Sequence, residues 1–235
     1  MIVDLIIPAL NEEAALPLVL AEVPQTLVRQ IVVVDNGSSD GTATVARNAG
    51  ATVLVETERG YGAACLRGLA YLSNNPPDVV AFVDGDHSDY PEELGRLLEP
   101  IESGRAEMTI GSRVLGGAAP GSLTPQQRVG NAIACHALEW FHRVSYTDLG
   151  PFRAIRWDAL QQLRMQDRNF GWTVEMQIRA AQEGLRYEEV PVRYRPRIGV
   201  SKVSGTVLGS FHAGRKILWL LGRHAVGRSD RKEQL

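Results

Sequence analysis

Two aspartates separated by a single glycine follow an apolar run near the middle of the chain. The run, Val79 to Val83, has the length and β-branched content of a strand buried on both faces of a parallel sheet. Asp84 and Asp86 leave its carboxyl end, and an extended backbone directs both carboxylates to the same side. Such hard oxygen ligands suit Mg²⁺ or Mn²⁺, which leaves coordination positions open for substrate phosphates. The spacing therefore predicts a metal site at this strand end, with a solvated turn as the alternative.

Polar residues also follow other predicted strands. Pro8 follows the predicted strand Ile2 to Ile7, and Asp35 follows the predicted strand Ile31 to Val34. Gly111-Ser112-Arg113 follows the predicted strand Glu107 to Ile110. Ligands of open α/β sheets bind beyond the carboxyl ends of the strands. We therefore expect these residues to surround one site.

Strand and helix patterns alternate from Ile2 to Gly111. This alternation predicts an α/β fold with a mostly parallel central sheet, flanked by helices that form right-handed crossovers. A loop rich in glycine and proline follows at 116–125 and is a candidate mobile cover for the site. A helix from Gln126 to about Ser145 comes next.

The composition is ordinary for a globular chain with one core: 235 residues, 44% hydrophobic and 22% charged. A formal net charge of −2 provides no general attraction to nucleic acid. Cys65 and Cys135 lack a C-x-x-C spacing, which argues against a disulfide framework or a zinc site. The chain starts without a basic signal-peptide region and contains no apolar run of membrane-spanning length, so we expect a cytoplasmic protein.

The segment from Thr206 onward has the pattern of a helix with apolar residues and a surplus of basic ones. Packing against the domain or a sister subunit is the plainer interpretation of this pattern. A basic amphipathic end can also lie on an anionic membrane, which would place the protein at the inner membrane face.

The ordered set of strand-end motifs resembles a family 2 glycosyltransferase with the GT-A fold. It is similar in particular to the catalytic domains of dolichyl- or polyprenyl-phosphate mannose and glucose synthases. The resemblance is carried by Pro8 to Glu12, Val34 to Ser38, Asp84-Gly85-Asp86, Gly111-Ser112-Arg113, Thr147-Asp148, and Arg197 with Ser201-Lys202. It implies one domain with a nucleotide-sugar half at 1–113, an acceptor half at 114–205 and a basic tail at 206–235.

The resemblance also implies a role for each matching residue. Base and ribose of the donor would contact Pro8, Leu10, Glu12 and Asp35. The metal and pyrophosphate would lie at Asp84, Gly85 and Asp86, and further phosphate contacts would come from Arg113, Arg197 and Lys202. On the acceptor side, the resemblance suggests Arg128 for a phosphate, and Trp172 could stack on an acceptor sugar.

The implied activity is inverting, metal-dependent transfer of a hexose from a UDP- or GDP-sugar. The acceptor would be a small molecule or a lipid phosphate such as a polyprenyl phosphate. Attack by a hydroxyl needs a general base, for which Glu175 is the first candidate and Asp148 the second. A phosphate acceptor is already anionic and needs none.

Three departures from the family pattern bear on these expectations. Gly85 stands where the mannose synthases usually have alanine. The late loop is one residue short, so the role of Arg197 could fall to Arg195. No transmembrane tail follows, which weakens the expectation of a polyprenyl acceptor.

Three other kinds of protein compete with this interpretation. Gly60-Tyr61-Gly62 suggests a dinucleotide-binding oxidoreductase, but it does not follow the first strand and Cys65 replaces the third glycine. A sugar nucleotidyltransferase would need a basic, glycine-rich loop after the first strand, and none is present there. A non-catalytic scaffold on the same fold is disfavoured by the intact acidic pair.

Overall fold

Seven strands form one sheet in the computed structural model, which describes residues 1–199. The strands are β1 (Val3–Ala9), β2 (Gln30–Asp35), β3 (Thr52–Val55), β4 (Val79–Phe82), β5 (Met108–Ser112), β6 (Arg153–Arg156) and β7 (Tyr187–Pro191). Lys202 and the predicted C-terminal helix from Thr206 lie outside the described residues.

Eight α-helices connect or flank the strands within the described residues. They are α1 (Leu16–Glu22), α2 (Thr42–Asn48), α3 (Tyr61–Leu72), α4 (Leu94–Glu102), α5 (Arg113–Gly116), α6 (Pro125–His142), α7 (Trp157–Leu163) and α8 (Trp172–Glu183). Thr124 caps α6 in a reciprocal pair with Gln127, and Arg143 ends it with a left-handed φ of 59°. The helix therefore stops a few residues before the predicted end.

The strand order is β3-β2-β1-β4-β6-β5-β7, and all neighbours are parallel except those of β6. The prediction of a mostly parallel sheet flanked by helices is thus confirmed. β6 is antiparallel to both β4 and β5, and Arg153 at its start pairs with Phe82 and with Ile110. Because β6 enters from that end, the turn at residues 147–152 lies beside the carboxyl ends of β4 and β5. The antiparallel strand therefore brings late parts of the chain to the predicted site.

The sheet separates two apolar cores, one on each face. On one face Trp172 is 1% exposed, and its indole ring meets Phe82 edge-on with centroids 6.1 Å apart. The predicted stacking of Trp172 on an acceptor sugar is therefore wrong, because the ring lies within this core.

None of the helices up to residue 199 combines the length and the apolar composition that a membrane-spanning segment requires.

The amino end of α3 packs directly against the segment 167–169. Ala63 N donates to Arg168 O at 2.8 Å, and Gly62 N donates to Asn169 O at 3.2 Å. A Cβ built on Gly62 would lie 1.9 Å from Asp167 O, so only glycine allows this approach. The contact fixes the segment that leads to Phe170 beside the site.

We expect Gly62→Ala to lower the free energy of unfolding by about 2–4 kcal/mol, since the backbone of Asp167 must move. Gly130→Ala on α6 is a matched control, because nothing lies within 4 Å of its added Cβ. In a helix interior that change should stabilise by about 0.5–1 kcal/mol. Urea unfolding followed by circular dichroism measures both, and equal effects would contradict the packing argument.

Candidate active site

A cleft of about 240 Å³ opens at the carboxyl ends of β1, β2 and β4, where the sequence placed the site. Seven of the residues predicted to bind nucleotide sugar line it: Pro8, Leu10, Glu12, Asp84, Gly85, Asp86 and Arg197. Other lining residues were not predicted from the sequence: Asn36, Arg59, Tyr61, Asn169 and Phe170.

The loops after β1 and β2 form one wall and are held together by hydrogen bonds. Ser39 N donates to Asn11 Oδ1 at 2.8 Å, and Glu12 N donates to Thr42 Oγ1 at 2.8 Å. Asp35 is buried beside them and accepts from Ser38 N at 2.9 Å. These bonds make the wall rigid before any ligand binds.

Asn36 positions the next wall. Its amide donates to Glu58 O at 2.7 Å and its carbonyl accepts from Gly60 N at 2.8 Å, so the side chain spans the turn that carries Arg59 and Tyr61. The polar turn after β3 could have predicted Arg59 and Tyr61 as site residues from the sequence. Asn169 and Phe170 follow α7 and gave no such signal.

Three acidic residues crowd the turn after β4. Asp86 and Asp89 are buried, and Asp84 Oδ1 and both Asp89 oxygens accept no hydrogen bond of normal geometry from the described residues. Burial, and then the charge of Asp86, raise the pKa of Asp84 to about 7. Burial, and then the charges of Asp84 and Asp86, raise the pKa of Asp89. Asp84 and Asp89 thus provide unpaired, mutually repelling oxygens, the donors that a hard divalent cation fits, whereas Asp86 accepts from Ser88 N at 2.9 Å and faces Arg197.

The protein alone provides only part of such a coordination sphere. Within residues 1–199, no group of three or more His, Cys, Asp or Glu side chains is arranged to hold a metal ion. Gly85 lies in ordinary contact with its surroundings, since an added Cβ would be 3.5 Å from Ile7 and from Pro8 O. An alanine therefore fits there without a backbone clash.

A cation from the protein already lies over the acidic turn. Arg197 Nη1 is 3.2 Å from Asp86 Oδ2, and its Nη2 is 3.4 Å from Glu12 Oε1. Ile198 N also donates to Asp86 O at 2.9 Å, so the late loop crosses the aspartate.

Arg195, the alternative to Arg197, points elsewhere. Its guanidinium pairs with Glu22 and stacks over the Tyr90 ring at 4.2 Å. Arg197 is therefore the arginine of this loop that lines the cleft.

Arg113 and Asp148 are paired with each other. Arg113 donates from Nε to Asp148 Oδ2 at 2.7 Å and from Nη2 to Oδ1 at 2.6 Å, and it lies over the Tyr194 ring at 5.0 Å. Burial alone would lower the pKa of Arg113, but the hydrogen bonds and charge of Asp148 outweigh it and raise that pKa. Both carboxylate oxygens are thus engaged, which disfavours Asp148 as a proton acceptor.

Glu175 is buried and also fully engaged. It accepts from Gln166 N at 3.0 Å, Asp167 N at 2.7 Å and Arg179 Nε at 2.8 Å. These bonds hold the segment before Phe170 against the cleft. The contacts of Glu175 are those of a positioning residue, and its role as a base stays a prediction that they do not support.

A second cavity, of about 500 Å³, lies between α5, α6 and the turn at 146–147. Arg113, Arg128, Asn131, His136 and Tyr146 are among its lining residues. Arg128, predicted to hold an acceptor phosphate, is exposed at this cavity and not at the cleft. Arg113 borders the cavity and contributes to the electrostatics of Asp84 and Asp89, so it lies between the two regions.

Comparison with known proteins gives consistent results. The model of the family described as Glycosyl transferase family 2 matches residues 4–170. An uncharacterized glycosyltransferase of Mycobacterium tuberculosis is 40% identical over 214 residues, covering 90% of this chain and 94% of the relative. The undecaprenyl-phosphate mannosyltransferase of Micrococcus luteus is 32% identical over 220 residues, covering 87% of this chain and 88% of the relative.

A solved structure shares the fold. Glucosyl-3-phosphoglycerate synthase from Mycobacterium tuberculosis, in complex with Mn²⁺ and UDP, superposes with a TM-score of 0.76 at 20% identity, covering 95% of this chain and 79% of that one. The predicted GT-A fold and the predicted hexosyltransferase are confirmed. The chain belongs to glycosyl transferase family 2.

Proposed function

We propose that the protein is an inverting, metal-dependent hexosyltransferase that uses a UDP- or GDP-sugar and a polyprenyl phosphate acceptor. One observation carries this proposal: the crowded acidic turn after β4 lines the same cleft as the loops after β1 and β2. A nucleoside diphosphate can therefore contact both the nucleotide-binding walls and the acidic turn. The named acceptor of the Micrococcus relative supports the lipid phosphate.

The donor site is assigned to the predicted residues of the cleft. Pro8, Leu10 and Glu12 would contact the base and ribose with Asp35, while Asp84 and Asp86 would hold Mg²⁺ or Mn²⁺. Such an ion, when bound, neutralises charge that develops on the departing diphosphate. Gly85 leaves room for the sugar nucleotide next to the two carboxylates.

Arg197 provides a positive charge from the protein itself, and its guanidinium can shift from its present partners to the donor. In the structure it faces Asp86 and Glu12 at 3.2 and 3.4 Å. With the donor present, its guanidinium would transfer these contacts to a phosphate oxygen of the leaving group, which bears the developing charge. We expect Lys202 to contact the diphosphate as well. Arg113, which is paired with Asp148, would act on the diphosphate through its electric field.

The acceptor would enter from the side of the second cavity, where Arg128 would hold its phosphate. A phosphate oxygen attacks the anomeric carbon on the face opposite the diphosphate. The bond to the diphosphate oxygen breaks as the new bond forms, and its electron pair leaves with the diphosphate. No proton has to be removed from the attacking oxygen. The reaction therefore does not need Glu175 or Asp148, whose carboxylates are already hydrogen-bonded, to act as a base.

We expect one of UDP, GDP and dTDP to bind in the presence of Mn²⁺ and to bind at least about tenfold more weakly without it. Asp86→Asn should abolish the metal-dependent part, since one of two carboxylate ligands is lost. Calorimetric titration measures this, with Asp158→Asn, at an exposed position of α7, as the control. Equal binding with and without metal would contradict the metal site.

The raised pKa of Asp84 predicts how stability depends on pH without metal. The folded state holds the Asp84 proton up to about pH 7, whereas the unfolded chain releases it near the ordinary value of 3.8. Stability should therefore fall as pH rises between these values, by on the order of 2–4 kcal/mol.

Asp84→Asn should remove the part of this fall that Asp84 causes, while Asp89, whose pKa is also raised, keeps its own part. Glu102→Gln on the exposed side of α4 should leave the fall unchanged. Urea unfolding in EDTA at pH 5 and pH 7.5 tests the point. Added Mn²⁺ should stabilise the natural chain more at the higher pH. A fall of undiminished size in Asp84→Asn would place its cause elsewhere.

Arg128→Met should raise the KM for a polyprenyl phosphate about tenfold or more and leave nucleotide affinity unchanged, because the side chain lies at the second cavity. Arg156→Met, at an exposed ion pair with Asp158, is the matched control. Radiolabelled sugar transfer measures KM and kcat. Loss of nucleotide affinity in Arg128→Met would show that Arg128 belongs to the donor site.

A further inference from the structure

The outer face of α6 carries large apolar side chains. Val129, Ile133 and Trp140 are 59%, 53% and 82% exposed. Their spacings of four and seven residues align them on one side of the helix, which we call the α6 stripe. At 1.5 Å per residue it extends over roughly 17 Å.

The α6 stripe is separate from the core. The side chains that α6 buries include Ala134, Cys135 and Leu138, which lie on the opposite side of the helix. A helix that only covers a core has a polar outer face. The apolar residues on both sides of α6 therefore indicate that something other than water contacts the stripe.

Neighbouring structure extends this surface. Val114 and Leu115 of α5 are 55% and 50% exposed. Val114 also lines the second cavity, as do Arg128 and His136 from α6. His136 is seven residues after Val129 and four before Trp140, so the cavity and the stripe share an edge of the helix.

The charged residues around the α6 stripe indicate what kind of surface it contacts. Between residues 113 and 143 the chain has three arginines and a single acid, Glu139. Arg113 is neutralised by Asp148, whereas Arg128 and Arg143 are exposed and border the helix at either end. Apolar side chains with an exposed tryptophan and bordering arginines suit the interface of an anionic lipid bilayer.

We propose that the α6 stripe, with Val114 and Leu115, docks on an anionic membrane surface and sets the second cavity against the lipid headgroups. This rests on the proposed function for the identity of the acceptor, because a lipid phosphate would then reach Arg128 directly from the bilayer. A second copy of the chain is a weaker fit, since a few side chains provide far less than the roughly 800 Å² per partner of a stable interface.

The first test uses the full chain and vesicles without acceptor or donor. The full chain should float with vesicles that contain phosphatidylglycerol and bind neutral phosphatidylcholine vesicles several-fold more weakly. The triple variant Val129→Ser, Ile133→Ser, Trp140→Ser should lower the bound fraction about tenfold. Leu18→Ser, Leu27→Ser, Val55→Ser is the matched control, with residues 45%, 39% and 53% exposed on other surfaces.

Three results would overturn the proposal. The stripe variant could float like the natural chain, or the natural chain could fail to bind vesicles at all. The stripe variant could also dissociate a dimer in light scattering without losing vesicle binding, which would assign the surface to a second copy. Circular dichroism of both triple variants verifies that they are folded.

The second test separates docking from the proposed function. With a short, water-soluble prenyl phosphate the stripe variant should transfer sugar like the natural chain, and with a long polyprenyl phosphate in vesicles it should be about tenfold slower. Vesicle binding through the stripe without transfer to either acceptor would refute the proposed function and leave docking intact. Transfer to both acceptors that is unaffected by the stripe variant would refute docking alone.

Discussion

Repulsion between carboxylates on the turn after β4 is the constraint on which the site depends. Asp84, Asp86 and Asp89 lie within six residues of chain and are largely removed from water. The charge of Asp86 raises the pKa of Asp84, and the charges of both raise the pKa of Asp89, in each case after burial. The fold places cations around them: Arg197 contacts Asp86, and the field of Arg113 acts on Asp84 and Asp89. Arg197 lies 3.2 Å from Asp86 and 3.4 Å from Glu12, distances longer than those of a tight ion pair, which leaves it able to exchange partners.

The antiparallel β6 makes this arrangement possible. In a purely parallel sheet, residues near 150 would arrive at the amino ends of the strands. Because β6 runs the opposite way, the preceding turn meets the carboxyl ends of β4 and β5, and Asp148 reaches Arg113. Arg153, completely buried, then ties this turn to α8 through the carbonyls of Gly150 and Thr173. Distant parts of the chain thus become one rigid wall.

The nucleotide-binding half was predictable because its signals are local. The apolar runs that predict buried strands end directly at Pro8, Asp35 and Asp84, and parallel strands gather their carboxyl ends at one edge. The second half depends on long-range pairing that no local pattern encodes. Neither the insertion of β6 nor the contact of α3 with residues 167–169 leaves a periodic signal, so Asn169 and Phe170 were missed. Trp172 illustrates the same limit, since an aromatic residue near the site has the same sequence pattern in a core and in a pocket.

The engaged carboxylates bear on the choice of acceptor. Glu175 and Asp148 are the sequence's candidates for a general base, and each accepts several short hydrogen bonds from backbone amides and an arginine. A carboxylate held in this way has both oxygens occupied and would have to break these hydrogen bonds before it could face a reacting hydroxyl. An acceptor hydroxyl would need a better base than either residue provides, whereas an acceptor phosphate brings its own negative charge. The side chains that make the wall rigid therefore favour a nucleophile that needs no deprotonation, in agreement with an exposed arginine at the second cavity.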